Sequence, residues 1–233
     1  MDRIEWKTRL LKFWRDWARP MLVIIVVLGS FRSAVADWND VPSGSMKPTI
    51  LEGDRILVNK LAYGLRVPFC DWWIAQWEGP VPGDVVVCFS PDTRQRLVKR
   101  VIGVPGDRLE LRDNRLFVNG QAVSYGPLDA DTVNQIATDR QPRHRFASER
   151  LGGGQHPVMI TPHKPARRSF TAVTVPPGCY FVMGDNRDNS RDSRFFGWID
   201  RDAIVGRTTR IAFSVDPDRY YLPRWGRFLR SLP

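Results

Sequence analysis

Leu109-Glu110-Leu111-Arg112-Asp113-Asn114-Arg115-Leu116-Phe117-Val118-Asn119-Gly120 carries the pattern that decides the fold class. Leu and charged residues alternate over 109–112, Asp113-Asn114 interrupts, and a second short run starts at Arg115. Two strands separated by two residues that tolerate positive φ read as a tight hairpin, and Asn119-Gly120 marks the next turn. Outward from this hairpin the pattern recurs at 55–60, 84–89, 97–103, 171–175, 180–183 and 207–213, as β-branched runs closed by Gly, Pro, Asn or Asp. No helical period longer than two turns appears between Trp38 and the last twenty residues, and no internal repeat is visible. The expected fold is mostly β: a barrel-like core within residues 38–233, with 105–176 as an inserted β lobe. Residues 129–168, rich in Pro, Gly, Arg and Gln, are its least regular part.

The N-terminus is different. Arg3, Lys7, Arg9, Lys12, Arg15 and Arg19 outnumber Asp2, Glu5 and Asp16, and an apolar run follows over 21–29, extended less cleanly to Ala36. A cleavable signal peptide fits the basic start, the short apolar core and the small-x-small exit Ala34-Val35-Ala36. An uncleaved anchor needs about twenty predominantly apolar residues, which 18–37 nearly supplies, with Arg32 able to snorkel. Under either reading the basic segment 1–17 stays cytoplasmic and the remainder is exported.

Composition excludes little except disorder: 42% of residues are hydrophobic, 26% are charged, and the net charge is +10. The basic residues are spread along the chain and no helix-turn-helix, zinc-finger or RNA-binding signature accompanies them, so anionic lipid is a better partner than nucleic acid. Cys70, Cys88 and Cys179 are too few for a disulfide framework and lack zinc-ligand spacing, although one bridge among them is conceivable. Cys88 reads as a small buried residue, and His144, His156 and His163 as surface loop or strand positions. Trp72, Trp73 and Trp77, beside Phe69 and Ile74, are either core or a loop touching a membrane interface; the tail 220–229 invites the same reading.

Three segments can carry chemistry. Pro42-Ser43-Gly44-Ser45-Met46-Lys47-Pro48-Thr49 sets two serines around a glycine between prolines, which in isolation is a surface turn. A nucleophilic serine needs a base, and neither a Gly-x-Ser-x-Gly elbow nor a recognisable histidine triad is present. Lys99, inside the apolar Leu97-Val98-Lys99-Arg100-Val101-Ile102-Gly103, is the candidate. An amine on the apolar face of a strand loses hydration, which disfavours its charged form; a drop of roughly three pKa units makes it a usable base. The third segment, residues 184–194, follows the apolar run 180–183 with a density of short polar side chains suited to an internally hydrogen-bonded loop. Its spacing is wrong for a calcium loop, because Arg187 and Ser193 stand where a ligand and a glycine belong.

Together with residues 53–60, Gly83-Asp84-Val85-Val86-Val87 and Pro105-Gly106-Asp107, these segments resemble the ordered sequence boxes of bacterial type I signal peptidases. The resemblance runs from about Val41 to Arg207 and weakens in the inserted lobe. It implies a membrane-bound endopeptidase that removes leader peptides from exported preproteins, using no metal or cofactor. It makes Ser45 the nucleophile and Lys99 the general base. Ser43 would complete the oxyanion hole, Ser190 would hold the Lys99 amine, and Arg100, Asp185, Asp192 and Arg194 would brace the site. The implied substrates are preproteins with small residues at the first and third positions before the cut. The implied location is the bacterial inner membrane, single-pass, with the catalytic domain outside the cytoplasm. Chemistry beginning so soon after Ala36, on membrane-held substrates, favours the anchor over the cleaved signal. Two other readings share parts of this pattern: a Ser/Lys peptidase dedicated to one pilus- or conjugation-type substrate, and a non-catalytic membrane-tethered β module.

Overall fold

The computed structural model describes residues 3–70, 72–136 and 141–233. Residues 1 and 2 of the expected basic segment and 137–140 of the expected lobe lie outside them. A single helical rod opens the chain: α-helix over Arg3–Phe13, a π segment over Trp14–Ala18, and α-helix again over Arg19–Ala34. The π segment has a local cause. Pro20 cannot donate a hydrogen bond to the turn behind it and its ring crowds that turn, so the ladder is re-registered there. The stretch Arg9–Ala34, 26 residues or about 39 Å at 1.5 Å per residue, is long and apolar enough to cross a membrane. Its side chains face outward almost all round the helix. The rod is longer at its start than the apolar run 18–37 and shorter at its end, because Ala36 and Asp37 already pair with Asn59 and Val58 in a sheet.

That sheet is the body of the molecule. Its strands run, in spatial order, Ala36–Asp40, Asp54–Asn59, Ile204–Asp216, Val85–Phe89, Arg96–Gly103, Cys179–Met183 and Ile199–Asp200, each antiparallel to its neighbours. Leu222–Pro223 adds to the far end of the long strand Ile204–Asp216. The path is open, ending at the first and last strands named, so the core is a half-barrel. Val85–Phe89 is its axis. Val85 and Val87 pack with Met46, Ile50, Ile56 and Val58 on one face, while Val86 and Cys88 pack with Val101, Tyr180 and Val182 on the other. Both faces being covered explains why this run is continuously apolar while Asp54–Asn59, with Leu57 turned outward, alternates.

Arg96–Gly103 and Cys179–Met183 are sheet neighbours, so the 75 residues between them (104–178) form an excursion from one point of the sheet. The excursion folds as a four-stranded sheet, in the order Phe170–Thr174, Arg108–Arg112, Arg115–Val118 and Gln121–Ala122, and a three-stranded one of Tyr125–Gly126, Arg145–Leu151 and Gly154–Ile160. The expected hairpin is there. Asp113 and Asn114 both have positive φ, 46° and 64°, and Asn119-Gly120 repeats the device. Leu109, Leu111 and Leu116 pack against Ile102, Phe181 and Met183 of the main sheet, which welds the lobe to the body.

Three side-chain expectations are resolved by burial. All three cysteines are free thiols, with Cys88 buried. Trp72, Trp77, Phe69 and Ile74 are exposed and form no core, as are Tyr220, Tyr221 and Trp225 of the tail. His156 lies on a strand but is buried, against the expectation of a surface position, because Glu149 of the neighbouring strand faces it at 3.2 Å.

Candidate active site

Ser45 sits in a single 3-10 turn, Gly44–Met46, entered and left through extended residues Ser43 and Lys47. The fully buried Met46 roots the turn in the core, and Ile50 N–H donates back to Met46 O at 2.9 Å. From the other side Asn186 holds it twice: its backbone N–H donates to Ser45 O at 3.1 Å, and its Nδ2 donates to Gly44 O at 2.9 Å. Gly184 lets the two loops touch, because a Cβ there would overlap both Ser45 O and the Ser190 side chain. The Ser45 hydroxyl is thus carried on a turn fixed through its backbone, while its side chain stays free to react.

Lys99 lies in the strand Arg96–Gly103, opposite Val86. Leu97, Lys99 and Val101 share one strand face by alternation, and Leu97 and Val101 pack into the cluster of Val86 and Cys88. The lysine is 3% exposed. Its Nζ is 2.8 Å from Ser45 Oγ and 3.0 Å from Val98 O. Burial pushes the amine below its ordinary pKa, and the attraction of the Asp192 and Asp185 carboxylates offsets that only in part. Cys88 is no competitor for the reaction, since burial pushes its thiol up to about 12.

Ser43 Oγ lies 3.4 Å from Ser45 Oγ, on the exposed side of the turn. Ser190 meets its expectation only in location. Its hydroxyl is buried in the site and helps to hold the Asp192 carboxyl below the usual range; the Lys99 amine is bonded instead to Ser45 and to Val98 O. The four charged residues form two fork-like pairs behind the lysine. Arg100 Nε and Nη2 donate to the two carboxylate oxygens of Asp185 at 2.9 and 2.8 Å, and Thr49 Oγ1 donates to the same carboxylate. Arg194 Nε and Nη2 donate to those of Asp192, both at 2.8 Å, and Gly184 N–H donates to Asp192 at 3.0 Å. Burial alone would raise both carboxyls. The facing guanidiniums win and hold each below the usual carboxylate range.

Sequence reasoning assigned no role to Asn186, Gly184 or Thr49, nor to Arg187, whose guanidinium is buried against Glu149 at 2.8 and 2.5 Å. Asn186, Gly184 and Arg187 lie inside the polar loop already singled out and Thr49 ends the serine segment, so the sequence drew attention to both regions without ranking their members. Glu149 carries no local signal, because an acidic residue in the irregular lobe looks like any surface carboxylate. Among the described residues, the elements that meet here are the turn at 44–46, the strand Arg96–Gly103 and the loop 184–192. A hydroxyl, a desolvated amine and a second hydroxyl beside it are the parts needed to attack and hold a carbonyl.

Comparison with known proteins points to one peptidase family. The family model described as signal peptidase, peptidase S26, matches residues 14–213. The chain is 36% identical over 221 residues to signal peptidase I of Pseudomonas fluorescens, covering 89% of this chain and 75% of that one. It is 32% identical over 193 residues to signal peptidase I of Bacillus caldolyticus, covering 83% and 87%. A solved signal peptidase I from Enterococcus faecalis V583 aligns with 56% of this chain and 97% of its own, at 31% identity and a TM-score of 0.35. With the family model spanning all but the two ends of the chain, this protein belongs to the signal peptidase family, peptidase S26.

Proposed function

We propose that this protein is a membrane-anchored endopeptidase that removes leader peptides from exported preproteins, with Ser45 as nucleophile and Lys99 as general base. The observation that carries it is the 2.8 Å approach of a buried, pKa-lowered amine to a hydroxyl on a fixed turn. Neutral Lys99 accepts the Ser45 proton as Oγ attacks the scissile carbonyl. The Ser45 N–H and the Ser43 hydroxyl face the developing oxyanion. Lys99 then returns its proton to the leaving amine and, in the second half, activates water against the ester. Once Ser45 is acylated Lys99 keeps its bond to Val98 O, and the Ser190 hydroxyl, buried in the same site, is the group that would steady the amine. Arg100–Asp185 and Arg194–Asp192 act behind these groups as rigid, charge-balanced braces.

The strand Arg96–Gly103 pairs with Cys179–Met183 only through Arg100, Val101 and Gly103, so the edge of 96–98 facing away from Val85–Phe89 is open beside the amine. An extended leader peptide can add there, opposite extended Ser43, with its small side chains turned inward. The basic first nineteen residues favour a cytoplasmic N-terminus and a catalytic domain on the outer face of the bacterial plasma membrane. The exposed loop of Phe69, Trp72 and Trp77 adjoins the end of the helical rod, with Phe69 N–H donating to Ser33 Oγ at 2.8 Å, and suits the lipid interface. Purified full-length protein should cut a preprotein with small residues before the junction, whereas Ser45→Ala and Lys99→Ala forms should not. Undiminished cleavage by either variant at neutral pH would rule the pair out.

A further inference from the structure

The loop 184–188 is gripped from two sides. Asn186 faces the Ser45 turn, with its N–H on Ser45 O at 3.1 Å and its Nδ2 on Gly44 O at 2.9 Å. The residues on either side of it face the inserted lobe: Met159 N–H donates to Asp185 O at 2.9 Å, and Arg187 N–H donates to Met159 O at 2.8 Å. Asp188, next along, accepts from Thr161 N–H at 2.9 Å and from Asn114 Nδ2 at 3.1 Å. Beneath these contacts lies a buried ion pair. Arg187 Nη1 and Nη2 donate to the two carboxylate oxygens of Glu149 at 2.8 and 2.5 Å, and both side chains are shut off from solvent. Glu149 stands on the lobe strand Arg145–Leu151, opposite His156, whose Nε2 lies 3.2 Å away. Burial alone would raise its carboxyl; the Arg187 guanidinium and the His156 ring hold it well below the usual carboxylate range. Leu109, Leu111 and Leu116 already attach the lobe to the body, and a desolvated charge pair is a poor way to add mere attachment. What the fork adds is direction. A planar guanidinium held at two points fixes the rotamer of its own residue, and Arg187 is the immediate neighbour of Asn186.

We propose that Glu149 is a positioning residue for the nucleophile: through Arg187 it sets where Asn186 stands, and Asn186 sets where Ser45 stands. This rests on the endopeptidase reading above. The inserted lobe is then a working part of the peptidase. Its strand Gly154–Ile160 supplies the bracket at Met159, and its strand Arg145–Leu151 supplies the anchor at Glu149. Glu149 touches no reacting group, and the charges that Lys99 feels most strongly are those of Asp192, Asp185 and Arg194. Hydroxyl and amine are therefore supported separately. The strand Arg96–Gly103 carries the amine, while the lobe carries the hydroxyl by way of the loop 184–188. Weakening the second support moves Ser45 Oγ away from Lys99 Nζ and from the scissile carbonyl, and the amine keeps its burial.

The test uses full-length protein and a preprotein with small residues before the junction, read as kcat, KM and a pH–rate profile beside a urea midpoint. In Glu149→Gln, kcat should fall about 10- to 10²-fold, the scale of displacing a reacting group by up to about 1 Å, with KM held within about twofold. The midpoint of the pH–rate profile should stay where it is, because the Lys99 amine is untouched. Glu149→Met/Arg187→Met separates placement from stability. It removes both buried charges, and apolar residues of similar volume replace a buried ion pair with little loss, so its urea midpoint should return toward the wild-type value while kcat stays low. Leu116→Ala, a cavity in the lobe core, should lower the urea midpoint and keep kcat; it calibrates what lost stability alone does to turnover, so a double variant that stays less stable is read against it. The proposal is overturned if Glu149→Gln keeps its kcat, if the double variant recovers kcat along with its urea midpoint, if the pH–rate midpoint moves in Glu149→Gln, or if Leu116→Ala loses kcat equally. Should Glu149→Gln fail to fold, the double variant decides by itself. Wild-type protein that cuts no preprotein would instead remove the endopeptidase reading, and this inference with it.

Discussion

An amine can serve as a base only in its neutral form, and for Lys99 that depends on the face of the strand it occupies. Leu97 and Val101 on either side, and Val86 and Cys88 across the sheet, leave it little water. Its lowered pKa makes a signed prediction: kcat/KM should rise with pH and level off well below the ordinary lysine value of about 10.4, as a pH–rate profile would read. The same burial acts on stability. Between its folded and unfolded pKa values the unfolded chain binds the extra proton, so the contribution of Lys99 to stability improves as pH rises through that window. Lys99→Met should therefore raise the melting temperature near neutrality, by an amount that shrinks toward the unfolded lysine pKa. Ser43 makes a separate case. Its hydroxyl is exposed and carries no structural load, so Ser43→Ala should fold normally while turnover falls by about 10²–10³, the scale of one lost oxyanion donor.

At the scale of elements, the nucleophile is aimed by a loop-to-loop contact. The turn Gly44–Met46 is short and has no neighbouring strand of its own, and Asn186 and Gly184 supply what a strand would. Gly184→Ala should press first on Ser45 O and on the Ser190 side chain. Misplacing a reacting group by about 1 Å costs roughly 10²-fold, so kcat should drop by that order while circular dichroism and binding of an uncleavable leader peptide change little. Unchanged kcat would mean the loops can part without moving the hydroxyl. The paired forks behind them have a different function. Arg100–Asp185 and Arg194–Asp192 keep two buried carboxylates charged and satisfied, which holds the loop 184–194 rigid around its own hydrogen bonds.

Across the whole molecule, the C-terminal tail closes the site from behind. Arg227, buried, donates through Nε to Asp54 at 3.1 Å and through Nη2 to Thr49 O at 3.1 Å, and it also bonds Gln135 of the inserted lobe. Thr49 in turn bonds Asp185, the partner of Arg100. Tail, lobe, nucleophile segment and main sheet therefore share one buried guanidinium. Removing one member of such a pair strands the other charge, so Arg227→Met should destabilise the protein by about 3–5 kcal/mol, read as a lower urea midpoint. A Lys replacement should recover only part of that, since one ammonium cannot reproduce the fork. A midpoint unchanged within error would show that the tail is dispensable to the fold.

The β character of the body, the hairpin at 109–118 and the apolar N-terminal helix were legible along the chain because each depends on neighbours two to four residues away. Alternation, turn residues with positive φ and an uninterrupted apolar run are all local. The site was legible only in part. The ordered motifs pointed to Ser45 and Lys99, and alternation said which strand face would strip the lysine of water. Their approach to 2.8 Å depends on a turn, a strand and a loop, the turn and loop touching across 142 residues of sequence, which only tertiary packing brings together. The same holds for the partners chosen by burial: Asn186 for the Ser45 turn, Glu149 for Arg187 and His156, and Lys60 for the carbonyls of the helix end. In water each of these polar groups has countless equivalent partners. Exclusion of water leaves each with one, and a linear sequence does not record where water is excluded.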